Sequence, residues 1–200
     1  MNEGTEAPDL LAPPAYRGAG ASQHRLRRVL DPLSRRLWDL TIEGAENIPA
    51  DGPAIICPNH ISFFDSVFVM TFVGRNISFV GKSEYMDSWK TRYLFPALGM
   101  IPIDRSGGEK SQEALQSAES VLRRGELFGI FPEGTRHPYG EPQAFKAGLY
   151  HLAKAYPDVE LIPAWIDNVQ RVLPKGEVVP VPILCTVTFG APMQLQEGED

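Results

Sequence analysis

A histidine and an aspartate five positions apart are the first residues in this sequence whose spacing suggests chemistry. The pair His60 and Asp65 follows a predicted strand and leads into a predicted helix. Five residues of regular helix rotate by roughly 500°, so a contact between them needs His60 in the turn and Asp65 in the first helical turn. A bonded aspartate would orient the imidazole and let its other nitrogen remove a proton from a hydroxyl. Taken alone, such a pair is more often a structural hydrogen bond.

A second candidate site is the run FPEGTR at positions 131–136, which also follows a predicted strand. Glycine lets the main chain approach a ligand closely, and a planar guanidinium can bind a phosphate through two hydrogen bonds. Taken alone, the run could equally be a charged turn with an ion pair between Glu133 and Arg136. A third run ends in Asp104 and Arg105, which could be a solvated pair at a strand end. A fourth, from Leu161 to Trp165, is typical of core packing.

Short apolar runs that alternate with helical stretches must position these residues. The predicted strands are 54–57, 77–80, 128–131, 161–166 and 184–189, and the predicted helices are 65–73, 89–98, 111–124 and 147–156. This alternation predicts an α/β fold, a single domain with a mixed, largely parallel sheet flanked by helices. In such sheets the chemistry collects in loops at the strand ends.

The composition, with 200 residues of which 43% are hydrophobic, indicates one domain. We expect a disordered tail over 1–21, an amphipathic helical segment over 22–41, the functional domain over 42–190 and a polar tail over 191–200. No run of about 18 apolar residues is present, so no membrane span is expected. Two distant cysteines and no signal peptide predict a cytoplasmic protein.

The segment from Arg17 to Asp39 concentrates basic charge. Its six arginines and two aspartates give +4, so the rest of the chain, whose total is −6, carries −10. The net charge disfavours nucleic-acid binding. Leucines at steps of three and four predict an amphipathic helix, and Asp31-Pro32 predicts two short helices or one kinked helix. The helix could rest on an anionic membrane or dock on its own domain, and the sequence favours neither.

The ordered set of motifs resembles the glycerolipid acyltransferase family, especially bacterial lysophosphatidate acyltransferases. The resemblance rests on Asn-His-x4-Asp, Gly-x-Ile-x-Ile-Asp-Arg, Phe-Pro-Glu-Gly-Thr-Arg and a late Ile-Pro-Ala run, and it covers about 42–190. This chain departs from the pattern at His137, where many relatives have serine. It also lacks the more apolar amino-terminal anchor of many relatives, which favours peripheral attachment at the cytoplasmic face of the membrane.

The resemblance implies that His60 is the general base and that Asp65 orients it. It also implies the residues that bind the acceptor's glycerol phosphate: Lys82, Arg105, Glu133, Gly134, Thr135 and Arg136. The implied reaction moves a fatty acyl group from acyl-CoA or acyl carrier protein to a lysophospholipid, first of all 1-acylglycerol-3-phosphate, giving phosphatidate. No cofactor or metal is implied. Glycerol 3-phosphate, another lysolipid and a non-catalytic module that binds lipid or acyl carrier protein stay open as alternatives.

Other sequence features are judged weaker. Ser62 lies near His60, but the chain has no Gly-x-Ser-x-Gly elbow to support an acyl-serine. The four histidines lack metal-ligand spacing. Aromatic residues that could line an acyl tunnel, or could be simple core, are Phe63, Phe64, Phe68, Phe72, Tyr93 and Phe95.

Overall fold

A seven-stranded sheet with helices packed on both faces forms the centre of the molecule. The computed structural model describes residues 20–38, 40–62, 64–83, 91–103, 110–137, 141, 143–172, 181 and 183–196. The strands are β1 Leu40–Glu43, β2 Ala54–Pro58, β3 Ile77–Lys82, β4 Met100–Ile103, β5 Leu127–Gly129, β6 Glu160–Asp167 and β7 Cys185–Phe189. The helices are α1 Gly20–Leu37, α2 Asp65–Phe72, α3 Thr91–Ala97, α4 Lys110–Arg123 and α5 Ala147–Ala155. Short 3₁₀ turns occur at Ala45–Asn47 and Val169–Arg171.

The strand order across the sheet is β1-β7-β6-β2-β5-β3-β4. Neighbouring strands run parallel except for β6 and β7, which are antiparallel. The prediction of a mixed, largely parallel sheet flanked by helices is therefore confirmed. Because β2, β3, β4 and β5 point the same way, the loops that follow them meet at one edge of the sheet. That edge carries the segments after Pro58 and Gly129, which contain the first and third motifs.

Successive residues of β2 pack into two hydrophobic clusters on opposite sides of the sheet. Ala54 and Ile56 are buried together with α2, whereas Ile55 is buried with residues of α4 and α5. Side chains alternate across a strand, so a strand covered on both faces is apolar throughout. Removing a buried isoleucine side chain from such a site costs about 2–5 kcal/mol, so β2 is a rigid support for the loop that follows it.

Helix α1 continues through Pro32 without interruption. Of the two alternatives predicted for Asp31-Pro32, that of two short helices is therefore wrong, and the Asp31 carboxylate accepts a hydrogen bond from Arg35 one turn later. The Gln23 amide pairs with the main chain of Ile77 through both its oxygen and its nitrogen. Arg27 donates to the carbonyl oxygens of Met70 and Arg75 at 3.1 and 2.6 Å. The docking of α1 on its own domain is thus confirmed.

The elements predicted from local periodicity are all present, with ends within two residues of the prediction where the structure describes them. Two edge strands, β1 and β4, were not among the predicted strands. The predicted helical segment over 22–41 is too long, because α1 ends at Leu37 and Leu40 begins β1. The reason is long-range pairing, since β1 pairs with β7 more than 140 positions away.

The predicted tails lie mostly outside the described residues. Residues 1–19 and 197–200 are not described, although Gly20 already belongs to α1 and Met193 pairs with Leu161 through two main-chain hydrogen bonds. Of the helices that the structure describes, none combines the length and the apolar character that crossing a bilayer requires.

Candidate functional site

The first motif places a histidine and a buried aspartate in direct contact. His60 lies in the turn after β2, and Asp65 is the first residue of α2. The Nδ1 atom of His60 and the Oδ2 atom of Asp65 are 2.8 Å apart. The same carboxylate oxygen accepts the main-chain N–H groups of Ile61 and Ser62 at 2.7 and 2.8 Å. The geometry expected from the sequence is present, and the catalytic role of the pair stays a prediction.

The environment of Asp65 orients the imidazole. Burial raises the pKa of the Asp65 carboxyl, while the hydrogen bonds from His60, Ser62 and Ile61 act in the opposite direction. An ionised Asp65 accepts the proton on Nδ1, which leaves the lone pair of His60 on Nε2. Because Oδ2 is held by two main-chain donors, the carboxylate stays fixed whether or not the imidazole is charged.

An aromatic pair supports one face of the imidazole. The His60 ring stacks on Phe131, with ring centroids 4.0 Å apart and an interplanar angle of 18°. Phe131 in turn stacks on Phe79 of β3, whose side chain is fully buried. The side chain of His60 keeps 21% of its surface exposed. The imidazole is therefore fixed in place, yet part of it stays exposed to solvent.

The third motif forms the loop that follows β5, and it contacts the first motif through the main chain. Glu133 is buried, and its Oε1 atom accepts the N–H of His60 at 3.0 Å. The N–H of His137 donates to the carbonyl oxygen of His60 at 2.7 Å. Gly134 has a φ of +68°, which favours glycine, and its N–H closes a turn on the Phe131 carbonyl. The two motifs are thus joined through both main-chain groups of His60, its N–H and its carbonyl oxygen.

The side chains of Thr135 and Arg136 are exposed at this edge. The alternative of an ion pair between Glu133 and Arg136 is not what the structure shows, since the Glu133 carboxylate is buried against His60. Arg136 forms no hydrogen bond or ion pair within the described part of the chain. Among the residues that the structure describes, none competes with a ligand for its guanidinium.

The other predicted cationic residues are only partly described. Lys82 is the last residue of β3, at the same edge of the sheet, and its side chain lies outside the description. Arg105 also lies outside the described residues, two positions after Ile103 ends β4. Their roles stay predictions.

A groove of about 320 Å³ lies beside this loop. Cys57, Pro163, Trp165 and Phe145 line it, together with Glu133 of the third motif. Trp165 and Phe145 are 44% and 67% exposed. Ligand pockets in proteins are mostly apolar and begin at about 300 Å³, so the groove is large enough to hold part of a small ligand.

The fourth motif contributes both to the core and to this groove. Ile162 and Ala164 of β6 are buried in the core, and Pro163, Ala164 and Trp165 line the groove. Asn59, which precedes the histidine, pairs its side-chain amide with both main-chain groups of Ile166. No motif or spacing in the sequence predicts this link between β2 and β6, and the link gives Asn59 a structural role.

Several weaker sequence candidates are resolved by burial. Phe68, Phe72 and Phe95 belong to the hydrophobic core, which favours packing over a tunnel, while Tyr93 is 77% exposed. Phe63 lies outside the described residues. The buried hydroxyl of Ser62 accepts the Phe64 N–H at 3.3 Å.

Burial raises the pKa of the Cys57 thiol to about 12, so no thiolate is present at neutral pH. The described residues contain no group of three or more His, Cys, Asp or Glu side chains placed to hold a metal ion.

Comparison with known proteins gives a consistent result. The model of the protein family described as Acyltransferase matches residues 39–167. A chloroplastic 1-acyl-sn-glycerol-3-phosphate acyltransferase of Arabidopsis thaliana is 28% identical over 140 residues, covering 70% of this chain and 39% of its own length. A 1-acyl-sn-glycerol-3-phosphate acyltransferase of Borreliella burgdorferi is 31% identical over 115 residues, covering 57% and 46%.

A solved structure has the same fold. The crystal structure of PlsC, the 1-acyl-sn-glycerophosphate acyltransferase of Thermotoga maritima, superposes with a TM-score of 0.67 at 25% identity, covering 86% of this chain and 70% of that chain. The chain spans roughly two fifths to three fifths of the length of the curated relatives that it matches.

Proposed function

Since this chain belongs to the Acyltransferase family, we propose that it moves a fatty acyl group from a thioester to a hydroxyl of a lysophospholipid. The acceptor that we propose is 1-acylglycerol-3-phosphate, which gives phosphatidate. The observation that carries the proposal is the 2.8 Å contact between His60 and a buried carboxylate, beside a loop that carries the exposed Arg136. The names of the relatives, which refer to the same acceptor, support it.

In the proposed reaction His60 is the general base. Its Nε2 atom takes the proton of the acceptor hydroxyl while the hydroxyl oxygen attacks the thioester carbonyl carbon. The new carbon–oxygen bond forms, the carbon–sulfur bond breaks, and the leaving thiolate takes the proton from the imidazolium. Asp65 stabilises the imidazolium that exists between these two steps. No covalent acyl-enzyme is needed, which agrees with the buried Ser62 hydroxyl and the protonated Cys57 thiol.

Arg136 is the proposed contact for the acceptor's phosphate. It follows Thr135 and Gly134 on the exposed side of the loop, and its neighbour His137 is bonded to the His60 carbonyl. A guanidinium can hold a phosphate through two parallel hydrogen bonds, which would fix the acceptor close to the base. From the family resemblance we propose Lys82 and Arg105 as further phosphate contacts.

The apolar groove beside the loop is the proposed place for part of the acyl thioester. Its lining of Cys57, Pro163, Trp165 and Phe145 suits an aliphatic chain. Either acyl-CoA or acyl carrier protein can present such a chain. No cofactor or metal ion takes part in the proposed chemistry.

Helix α1 presents an outward face that we propose rests on an anionic membrane at the cytoplasmic side. Val29, Leu33 and Leu37, at four-residue steps, are 62%, 46% and 43% exposed. The exposed arginines Arg28 and Arg36 lie on the same helix. An apolar stripe with adjacent cationic side chains favours binding in the interface of an anionic bilayer.

Sedimentation with anionic vesicles tests this attachment. Changing Leu33 to Ser and Arg28 and Arg36 to Gln should reduce the bound fraction at least several-fold, because each basic residue near the surface contributes about 1 kcal/mol. Arg123→Gln on α4, also exposed, is the control and should sediment like the wild type. Unchanged sedimentation of the triple variant would leave α1 only its docking role.

The proposed activity is tested with purified protein, labelled acyl-CoA and lysophosphatidate, with the lipid product read by mass spectrometry. His60→Ala should lower the rate by about 10²–10⁴-fold while the circular dichroism spectrum stays native. His151→Ala, an exposed histidine on α5, is the matched control. Activity retained by His60→Ala would refute the proposed base, and acyl-CoA binding without product in the wild type would favour a binding module.

A second measurement tests the phosphate contact. Arg136→Ala should raise the KM for lysophosphatidate and leave the KM for acyl-CoA unchanged. Substituting glycerol 3-phosphate and neutral lysolipids for lysophosphatidate separates the acceptor alternatives. Equal effects of Arg136→Ala on both substrates would argue against phosphate recognition.

A further inference from the structure

Glu133 differs in its burial from the three residues that follow it in the motif. Gly134, Thr135 and Arg136 are exposed, whereas Glu133 is only 2% exposed. The family resemblance groups all four as contacts of the acceptor's glycerol phosphate. We infer instead that Glu133 is a positioning residue, which holds the main chain of His60 so that the base faces the acceptor. This inference rests on the proposed function, because it takes His60 as the base.

The hydrogen bonds around His60 carry the inference. Its N–H donates to Glu133 Oε1 at 3.0 Å, and its carbonyl oxygen accepts the His137 N–H at 2.7 Å. Its side chain is held separately, by Asp65 at 2.8 Å. Asp65 alone leaves the turn free to shift, since both partners sit in the same segment. Glu133 is 73 positions away and fixes that segment to the loop after β5.

The negative charges of a glutamate side chain and of a phosphate also argue against a direct contact between Glu133 and the acceptor's phosphate. A carboxylate and a phosphate repel each other, and the repulsion grows where water is excluded. The second carboxylate oxygen, Oε2, is buried and finds no hydrogen-bond partner among the residues that the structure describes. Such an arrangement costs folding free energy, because a buried acceptor without a partner has lost its hydrogen bonds to water. The gain that offsets this cost is the fixed position of His60.

Two variants of similar shape distinguish the effect of the hydrogen-bond-accepting oxygen of Glu133 from the effect of its negative charge. Glu133→Gln keeps an oxygen that can accept the His60 N–H, and Glu133→Met fills the same space but accepts nothing. A base displaced by about 1 Å can cost about 10²-fold in rate. Glu133→Met should therefore lower kcat by about 10–100-fold, and Glu133→Gln should recover kcat to within about 5-fold of the wild type. The KM for lysophosphatidate should differ from that of the wild type by less than about 2-fold in both variants, because Glu133 does not contact this substrate in the inferred arrangement.

Glu126→Met is the matched control. Glu126 immediately precedes β5, at the opposite end of the strand from Glu133, and it pairs with Arg124 as a partly buried carboxylate. Its substitution should leave kcat and both KM values unchanged. A raised KM for lysophosphatidate with unchanged kcat in both Glu133 variants would overturn the positioning role and favour a contact with the acceptor.

A structural readout keeps the inference testable apart from the activity. In ¹⁵N-labelled protein, the amide resonance of His60 should move in Glu133→Met and stay close to the wild type in Glu133→Gln. If the wild type forms no product from any acceptor, the proposed function fails. The shift of the His60 amide resonance then still tests whether Glu133 accepts the hydrogen bond from the His60 N–H. If the wild type is active and His60→Ala is not, an unmoved His60 amide in Glu133→Met overturns the inference while the function stands.

Discussion

Changing Asp65 to Asn tests the proposed base with the smallest change of shape. Oδ2 of Asp65 accepts three hydrogen bonds, from His60 Nδ1 and the N–H groups of Ile61 and Ser62, at 2.7–2.8 Å. The oxygen of an asparagine side chain can accept the same three bonds. Its NH₂ group then takes the place of Oδ1, which has no partner in the described part of the chain. The turn should keep its geometry, and the negative charge beside the imidazole is lost.

The expected loss of rate follows from that charge. When His60 takes the proton, the imidazolium and the carboxylate form an ion pair with their charges about 4 Å apart. At an effective dielectric constant of about 20 the attraction at this distance is about 4 kcal/mol. One power of ten in rate corresponds to about 1.4 kcal/mol, so kcat should fall by about 10³-fold. The unpaired NH₂ group should lower the free energy of unfolding by about 1–3 kcal/mol, partly offset because a neutral amide is cheaper to bury than a carboxylate.

The assay compares initial rates of phosphatidate formation at saturating lysophosphatidate and acyl-CoA, alongside urea unfolding of each protein. Glu119→Gln is the matched control, since Glu119 forms an exposed ion pair with Arg123 on α4. Exposed ion pairs contribute little to stability because water and salt screen them, so this variant should match the wild type in rate and nearly match it in stability. A folded Asp65→Asn protein whose kcat stays within about 5-fold of the wild type would show that the charge is not needed and refute the reasoning.

Three further outcomes are expected. Trp165→Ala should raise the KM for long-chain acyl-CoA several-fold and leave the KM for lysophosphatidate unchanged, with the exposed Leu184→Ala as control. Cys57→Ser should keep kcat within about 2-fold, because burial raises the pKa of the Cys57 thiol to about 12 and no thiolate can attack the thioester. Burial also raises the pKa of Asp65 from its ordinary 3.8, so the folded state holds this proton more tightly than the unfolded chain. The stability that protonated Asp65 contributes to the folded state is therefore fully present below pH 3.8, the ordinary pKa, and is lost as the pH rises through the folded-state pKa. The unfolding free energy of the wild type should therefore decrease relative to Asp65→Asn as the pH rises above the ordinary carboxyl pKa of 3.8.

The parts of the fold that the sequence predicts are those whose signal is local. Helices α2 and α5 and the central strand β2 show their periodicity and apolar runs within a few residues. Strand β1 does not, because its four residues are shaped by pairing with β7 at the far end of the chain. Such an edge strand is short and half exposed, so its pattern is weak until its partner is known.

The candidate site shows the same division. The contact between His60 and Asp65 spans five positions and follows from the geometry of a strand-to-helix turn. The contacts that hold this turn span 73 positions for Glu133 and 107 for Asn59, and they depend on which strands are neighbours. The strand order places β5 and β6 on either side of β2. Neither the buried position of Glu133 nor the link from Asn59 to Ile166 can be read from composition or spacing.

The position of β2 between β5 and β6 places the turn that contains His60 between two chemically unlike surfaces. The loop after β5 presents the exposed guanidinium of Arg136, and β6 presents Pro163 and Trp165 to the groove. A phosphorylated alcohol and an aliphatic thioester need these two opposite environments, yet their reacting atoms must come within about 3–3.5 Å of each other. His60 follows the strand that lies between the two, so each substrate can be held in its own surroundings while the reacting groups meet at the base. If this arrangement operates, Arg136 and Trp165 variants should each weaken one substrate without the other, and a double variant should show additive losses.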